Sequence, residues 1–279
     1  MKITKTLLLN DRSLFQIHGP DSFDFLQSVI TADISPLKEG KAVASCLLSA
    51  QGRILFDFLI YPDGQEKSFS CIFDCHKKEK NELIKKLTLY KMRSSVEIND
   101  IDDQSIVISK ANKEKAFEDP RHNKLPFRIV VTKDKMDKSS SYDEIYKQNR
   151  LKLCVAEGPE EIPRGEALPL DFWMDKTTQV SFNKGCFIGQ EVTARVYHRN
   201  KIRRRLIVVE TKESKASDRE LPGKGFKYIC QNKDIVLLLA PIEFIEDSIV
   251  TAKLPWVFAA KPNAVSAIPV NKGWLLLQE

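Results

Sequence analysis

The apolar residues of this 279-residue chain fall into short runs, and the period of those runs changes near residue 201. Up to about residue 200, segments with strand-type alternation are interspersed with segments in which apolar residues recur at helical spacing. From Ile202 onward the segments are short, β-type and separated by turns. The pattern predicts an α+β region over residues 1–200 and a separate β-barrel-like domain over residues 201–279.

Length and composition set the class of protein. A chain of this length can bury a sizeable core and commonly forms two domains. Its 42% hydrophobic and 29% charged residues are typical of a soluble globular protein. No apolar run reaches the roughly 18 residues of a membrane-spanning helix, so we expect no membrane association. The N-terminal segment MKITKTLLLNDRS has too short an apolar block for a secretory signal, which predicts a cytoplasmic protein.

Three segments before residue 155 have a helical period. They lie within residues 19–34, 77–94 and 141–154. The stretch KAVASCLLSAQGRILFDFLIYPDG instead predicts two strands joined by a turn at residues 49–52. An irregular segment of about twenty residues, rich in proline, follows residue 158, and structured loops of that length are often functional.

The six cysteines are scattered, and most have apolar neighbours, so we expect reduced thiols that mostly pack in the core. The stretch CIFDCH contains two cysteines and a histidine, residue types that can bind a metal. Its alternation places Cys71 and Cys75 on one face of a strand, and no second Cys/His pair lies at zinc-finger spacing. We therefore predict no metal site.

The stretch FNKGCFIGQEVTAR is the best candidate for chemistry. Ile188, Val192 and Val196 are four residues apart, which predicts a helix that starts near residues 187–189. Cys186 would then lie at or just before the helix N-terminus, where the dipole stabilises a thiolate. Lys184 could add a second stabilising charge. The alternative is a simply packed cysteine.

Other residues of this stretch also have two interpretations. Gly185 and Gly189 predict close backbone approach or unusual φ angles on either side of the thiol. Glu191 and Arg195 are spaced i,i+4, so they could form only an ion pair on the helix surface.

The densest basic run is RNKIRRRL, residues 199–206. It is either a solvated turn entering a strand or a patch for an anionic partner. Aromatic residues are not interleaved with these basic residues, so a nucleic-acid platform is not favoured over a small anionic ligand.

The stretch KGCFIGQEVTAR resembles the K-G-C-(Y/F)-x-G-Q-E signature of the YgfZ family, which is related to the T-protein, the aminomethyltransferase of the glycine cleavage system. The resemblance covers roughly residues 5–210. It includes IHGPDSFDFLQSVITADI, SCLLSAQGRILFDFLIY and LYKMRSSVEI. The segments NRLKLCVAEGPEEIPRGEALPLDF and VTARVYHRNKIRRRL are most similar to the branch that contains the mitochondrial iron–sulfur assembly factor.

The resemblance implies an α+β, T-protein (aminomethyltransferase) folate-binding-like fold with a C-terminal β-barrel domain. It implies a tetrahydrofolate-binding protein that supports assembly or repair of 4Fe–4S clusters together with A-type scaffold proteins. Cys186 would be the essential thiol, with Lys184 as a second catalytic residue. The residues that would bind the cofactor are Gly185, Phe187, Gly189, Gln190, Glu191 and Arg195.

Folate chemistry agrees with some of these residues. A pterin edge suits a carboxylate and its flat ring suits apolar walls, while the anionic glutamate tail favours a basic mouth formed by Arg195, Arg199 or Arg203. Phe187 replaces the commoner tyrosine of the signature and so lacks a hydroxyl. A single cysteine cannot hold a cluster that normally needs four thiolates, so ligation would need a partner or a dimer.

Two alternatives stay open. An aminomethyltransferase would need a catalytic aspartate, for which Asp57 and Asp63 are available, but it has no use for the cysteine. An RNA-binding protein would use the run from Arg199 to Arg205. Whether the protein turns over a substrate, by one-carbon or thiol transfer, is also open, although classical aminomethyl transfer is not favoured.

Overall fold

The computed structural model describes residues 6–64, 68–110, 115–133, 143–210, 224–245, 269–270 and 274–276. The α-helices of eight or more residues in these ranges are α1 (Ser22–Val29), α2 (Lys80–Lys91), α3 (Asp143–Lys152) and α4 (Gln190–His198). The strands, in chain order, are β1 (Leu7–Leu8), β2 (Arg12–His18), β3 (Val43–Leu48), β4 (Ile54–Pro62), β5 (Ser70–His76), β6 (Glu97–Ile101), β7 (Gln104–Ser109), β8 (Ala116–Phe117), β9 (Phe127–Thr132), β10 (Arg204–Glu210), β11 (Lys227–Asn232), β12 (Ile235–Pro241), β13 (Pro269–Val270) and β14 (Trp274–Leu276).

A five-stranded sheet of order β3-β4-β5-β2-β6 forms the centre of the N-terminal half. Its strand pairs are antiparallel. One face packs against α1 and α2, and Phe15 and Phe58 each lie 4.9 Å from the Phe73 ring centroid on that face. The opposite face packs against a second sheet of order β1-β7-β9-β8. Burial on both faces explains why β4 is a nearly continuous apolar run rather than an alternating one.

The third sheet has the order β11-β12-β10-β14-β13 and lies in the C-terminal part of the chain. Trp173 connects it to the preceding irregular segment, because the indole Nε1 donates a hydrogen bond to the carbonyl oxygen of Leu206 at 2.7 Å. A core cluster that includes Phe187, Leu206 and Leu237 joins the thiol-bearing stretch to this sheet. The stretch is thus supported by both halves of the fold.

The structure confirms the hairpin at residues 43–62 and the three helices expected before residue 155. Residues 242–245 are helical, which the sequence analysis did not predict. Some of the β-type segments predicted in the C-terminal region, including SIVTAKLP, lie outside the described residues. The domain boundary at residue 201 stays a prediction. Across the described ranges, no helix is both long enough and apolar enough to span a membrane.

Candidate functional site

The thiol-bearing stretch forms a loop that we call the thiol loop, residues 181–189, followed by α4. Gly189 is the N-cap residue of α4 and has a φ of 79°. A Cβ atom at this position would lie 2.4 Å from the carbonyl oxygen of Ser49 in the turn between β3 and β4. Gly52 of the same turn lies against Thr193 and Val192 of α4. Both the conformation and the close approach therefore require glycine at position 189.

Gly185 has neither property. A Cβ atom there would meet no atom within 4 Å, and its φ lies outside the left-handed region. The prediction of special backbone geometry is confirmed for Gly189 and wrong for Gly185.

Cys186 is exposed at the surface of the thiol loop. All six cysteines lie within the described ranges, and the other five are buried or half-buried. Burial raises the pKa of Cys46, Cys75 and Cys230 to about 12 and also raises the pKa of Cys71 and Cys154. Cys186 is consequently the thiol that solvent and partners can reach.

The helix adjacent to Cys186 begins later than the dipole argument requires. Cys186 lies three residues before the N-cap Gly189, outside the first turn of α4. The macrodipole acts mainly within that turn, so Cys186 lies outside the position at the helix N-terminus that the sequence predicts. Exposure, rather than proximity to the helix, distinguishes this thiol.

Lys184 anchors the thiol loop to the N-terminal half. Its Nζ donates hydrogen bonds to the carbonyl oxygens of Ile30 at 2.8 Å and Ala32 at 2.7 Å. Burial lowers the pKa of Lys184 to about 8, and the nearby Asp33 carboxylate opposes this shift. The charge that the sequence predicts beside the thiol instead contacts main-chain oxygens.

Gln190 and Phe187 stabilise the start of α4. The Phe187 amide donates to Oε1 of Gln190 at 3.3 Å, and the Gln190 amide donates to the Phe187 carbonyl oxygen at 3.1 Å. The Phe187 side chain is buried in the core cluster described above. Glu191 and Arg195 form an exposed i,i+4 ion pair at 2.6 Å, as the simpler interpretation predicted.

A cavity of about 480 Å³ lies beside the thiol loop. Phe182 and Tyr197 stack on its wall with ring centroids 4.0 Å apart, and Asp33, Asn183 and His198 also line it. Burial raises the pKa of Asp33, but hydrogen bonds from Ser35 and Gln27 outweigh this effect and the net pKa is lowered. The cavity therefore combines flat apolar walls with an ionised carboxylate.

The basic run after α4 does not form one cationic surface. Arg199 and Arg203 are exposed, but Arg205 is buried and pairs with Asp175 at 2.6 Å. The Arg205 guanidinium also lies 4.2 Å from the Trp173 ring centroid. Part of this run is thus committed to joining the irregular segment to β10.

A buried ionic cluster near the second sheet has no counterpart among the sequence predictions. The fully buried Arg128 donates to Asp74 at 2.8 Å and to Glu157 at 2.7 Å. Burial raises the pKa of Glu157, but Arg128 and the neighbouring guanidinium groups lower it well below its usual value. A cavity of about 250 Å³ adjoins the cluster. The charged members of the buried ionic cluster are Arg12, Arg121, Arg128, Arg150, Asp74, Asp119, Glu157 and Glu161.

The two candidate aspartates have structural contacts. Asp57 is buried and accepts the Gly158 amide at 3.0 and 3.2 Å, and burial raises its pKa. Asp63 accepts hydrogen bonds from Gln16 at 2.7 Å and Ser70 at 3.0 Å. In the part of the chain that the structure describes, no group of three or more His, Cys, Asp or Glu side chains could hold a metal ion.

Comparisons with known proteins place this geometry in context. Residues 9–109 match the GCVT N-terminal domain family. The mitochondrial iron–sulfur cluster assembly factor IBA57 homolog of Pyricularia oryzae is 33% identical over 217 residues, which cover 71% of this chain and 55% of that protein. The human mitochondrial factor IBA57 is 29% identical over 231 residues, which cover 72% of this chain and 65% of that protein. The chain thus spans about half to two thirds of the length of these relatives.

A solved structure shows the same fold. The glycine cleavage system aminomethyltransferase T from Bartonella henselae superimposes with a TM-score of 0.66 over 98% of this chain and 84% of that chain. The identity is only 11%, so this likeness concerns the fold alone. It confirms the predicted T-protein-like α+β fold.

The expected cytoplasmic location is wrong, because these IBA57 relatives are named as mitochondrial proteins. The expectation relied on a criterion for secretory signals, the presence of a continuous apolar block. Mitochondrial targeting segments are amphipathic and arginine-rich instead, so that criterion could not detect them.

The domain match and the two IBA57 relatives support the predicted resemblance to iron–sulfur cluster assembly factors. The more specific assignment to the YgfZ family stays a prediction. Residues 9–109 thus match the GCVT N-terminal domain family, and the chain has the fold of the glycine cleavage T-protein and is similar in sequence to iron–sulfur cluster assembly factors.

Proposed function

We propose that this protein acts in iron–sulfur cluster assembly and that Cys186 is the thiol that contacts the cluster. The observation that carries the proposal is the exposure of this one cysteine on an anchored loop. Lys184 fixes the loop to the N-terminal half and Gly189 fixes it to the β3–β4 turn. An exposed thiol in a defined position can meet a cargo that a second protein presents.

The cluster itself would be shared with a partner. A cluster normally takes four thiolate ligands, and Cys186 supplies one. The remaining ligands must come from another chain, for which an A-type iron–sulfur scaffold protein is our candidate. The sequence similarity to assembly factors supports this choice of pathway.

Tetrahydrofolate is the ligand that we propose for the cavity beside the thiol loop. The cavity volume of about 480 Å³ lies within the range of small-molecule sites. The Phe182–Tyr197 pair offers an aromatic wall for a pterin, and Asp33 offers a carboxylate for its donor edge. Bound folate would supply a one-carbon carrier near the loop. Gln190 and Glu191 do not line this cavity, so the cofactor-binding roles predicted for them stay predictions outside this proposal.

The thiol is tested by cluster transfer. Cys186→Ser should abolish the formation of a 4Fe–4S cluster on an apo-acceptor when an A-type scaffold is the donor. Cys230→Ser is the matched control, since Cys230 is half-buried in β11 and should leave transfer unchanged. Transfer at the wild-type rate by Cys186→Ser would refute the proposed role.

Folate binding needs a separate measurement. Isothermal titration calorimetry of the protein with 5-formyltetrahydrofolate should show one binding site per chain. Tyr197→Ala should weaken binding because base–aromatic stacking typically contributes about 1–3 kcal/mol. Binding that is unaffected by Tyr197→Ala would place folate elsewhere, and no binding at all would remove folate from the proposal without affecting Cys186.

A further inference from the structure

A second cleft lies between the β1-β7-β9-β8 sheet and α3, and its volume is about 510 Å³. The inner wall consists of apolar side chains of the sheet and of α3 together with the ring of Tyr146. Those apolar residues are Leu7, Ile108, Leu125, Phe127, Ile145 and Leu153. Ile145 is 39% exposed, so part of the apolar wall faces solvent.

Lysines surround the mouth of this cleft. Lys110 follows β7, Lys124 precedes β9, and Lys152 ends α3, and all three are exposed. The described residues that line the cleft include no Asp or Glu. Neither Lys110 nor Lys152 forms an ion pair with another described residue. The site therefore has an apolar interior and a cationic rim, of which Lys110 and Lys152 have no ion-pair partner among the described residues.

We propose that this cleft binds a small amphipathic anion, with its apolar body against the sheet and its anionic head beside Lys110 and Lys152. Burial of an apolar chain or ring on the inner wall supplies most of the affinity. The lysines then select a carboxylate, sulfonate or phosphate head over a neutral one. An anionic head can remain hydrated at the rim while contacting lysine ammonium groups.

The cleft is distinct from the cavity beside the thiol loop. The two sites have no lining residue in common. Tyr146 separates the cleft from the buried ionic cluster, because its ring lines the cleft while its hydroxyl oxygen accepts from Arg128 at 2.5 Å. The proposal does not depend on the function proposed for Cys186.

A pair of fluorescent probes tests the inference on the full chain. 8-Anilinonaphthalene-1-sulfonate carries an anionic head, and N-phenyl-1-naphthylamine has the same aromatic body without it. We expect the anionic probe to bind at one site per chain and to be displaced by decanoate. Lys110→Gln and Lys152→Gln should each lower the affinity for the anionic probe roughly two- to five-fold and leave the affinity for the neutral probe unchanged.

Two further variants separate the site from non-specific binding. Lys85→Gln changes an exposed lysine on α2 that does not line the cleft, so the affinity for both probes should stay unchanged. Asn149→Trp places a large ring at a lining position and should abolish the binding of both probes. The circular dichroism spectrum and the unfolding midpoint of this variant should stay unchanged, which shows that it is folded.

Several outcomes would overturn the proposal. One is equal affinity of the anionic probe for wild type, Lys110→Gln and Lys152→Gln, and another is equal loss of both probes in the lysine variants. Displacement of the anionic probe by 5-formyltetrahydrofolate, at the concentration that saturates the folate site, would also refute a separate ligand. In that case this cleft would be the folate site, whereas the proposed role of Cys186 would be unaffected.

Discussion

Gly185 and Gly189 lie on either side of Cys186 in sequence but differ in structure, so alanine at each position makes a matched test. Gly189→Ala forces a side chain into a φ of 79°, which costs about 1–2 kcal/mol. The new Cβ would also lie 2.4 Å from the carbonyl oxygen of Ser49, and relief of such an overlap in a packed region typically costs about 1–3 kcal/mol. We expect the free energy of unfolding to fall by about 2–5 kcal/mol.

Gly185→Ala should change the free energy of unfolding by less than about 0.5 kcal/mol, because the new methyl group meets no atom within 4 Å. Urea unfolding followed by circular dichroism measures both values. Maleimide labelling of Cys186 in the folded state reports whether the thiol loop has moved. Similar losses of stability for the two variants would show that the loop is not held against the β3–β4 turn as described.

Lys184→Met should lower the free energy of unfolding by about 1–3 kcal/mol at pH 7, because the carbonyl oxygens of Ile30 and Ala32 lose their charged donor. Burial lowers the folded-state pKa of Lys184 to about 8, so the unfolded chain holds more protons above that pH. The stability contribution of this group should therefore rise between pH 8 and 10.5, and urea unfolding of Lys184→Met should lack that rise. Burial raises the pKa of Glu79 to about 7, so between pH 4.5 and 7 the folded state holds more protons and stability falls as the pH rises. Glu79→Gln should be neutral at pH 4.5 and stabilising by about 1 kcal/mol above pH 7, discounted for partial solvation, and an unfolding midpoint that shifts equally at both pH values would contradict this assignment. Iodoacetamide should modify Cys186 before any other cysteine, and mass spectrometry that finds a buried thiol labelled first would disprove the exposure argument.

Local patterns predicted the elements whose causes are local. The strand pair at residues 43–62 and the helices α1 and α2 follow from apolar periods and turn residues within one segment. The start of α4 was also predicted to within a few residues, because Ile188, Val192 and Val196 have a helical period. The prediction failed at Gly185, where sequence alone cannot tell which of two nearby glycines meets another part of the chain.

The contacts that position the site are long-range and were not predictable. Lys184 bonds to residues more than 150 positions earlier in the chain. Arg12 and Asp74 meet across 62 positions, and Arg128 reaches Asp74 across 54. Charged side chains are mostly exposed, so their presence in a sequence carries no signal that they will be buried together. Such pairs become evident only when the register of β2, β5 and β9 is known.

The buried ionic cluster also explains why the irregular segment before the thiol loop can hold a defined shape. The segment forms local main-chain turns, such as the bond from the Ile162 amide to the Gly158 carbonyl oxygen, and side chains anchor these turns to the rest of the fold. Glu157 accepts from Arg128, Glu161 accepts from Arg150, and the Gly158 amide donates to Asp57. Removal of one partner from such a buried group leaves an uncompensated charge and typically costs about 3–5 kcal/mol. The segment that leads into the thiol loop is thus fixed by charges of the N-terminal half, and the position of Cys186 depends on contacts that never touch the thiol.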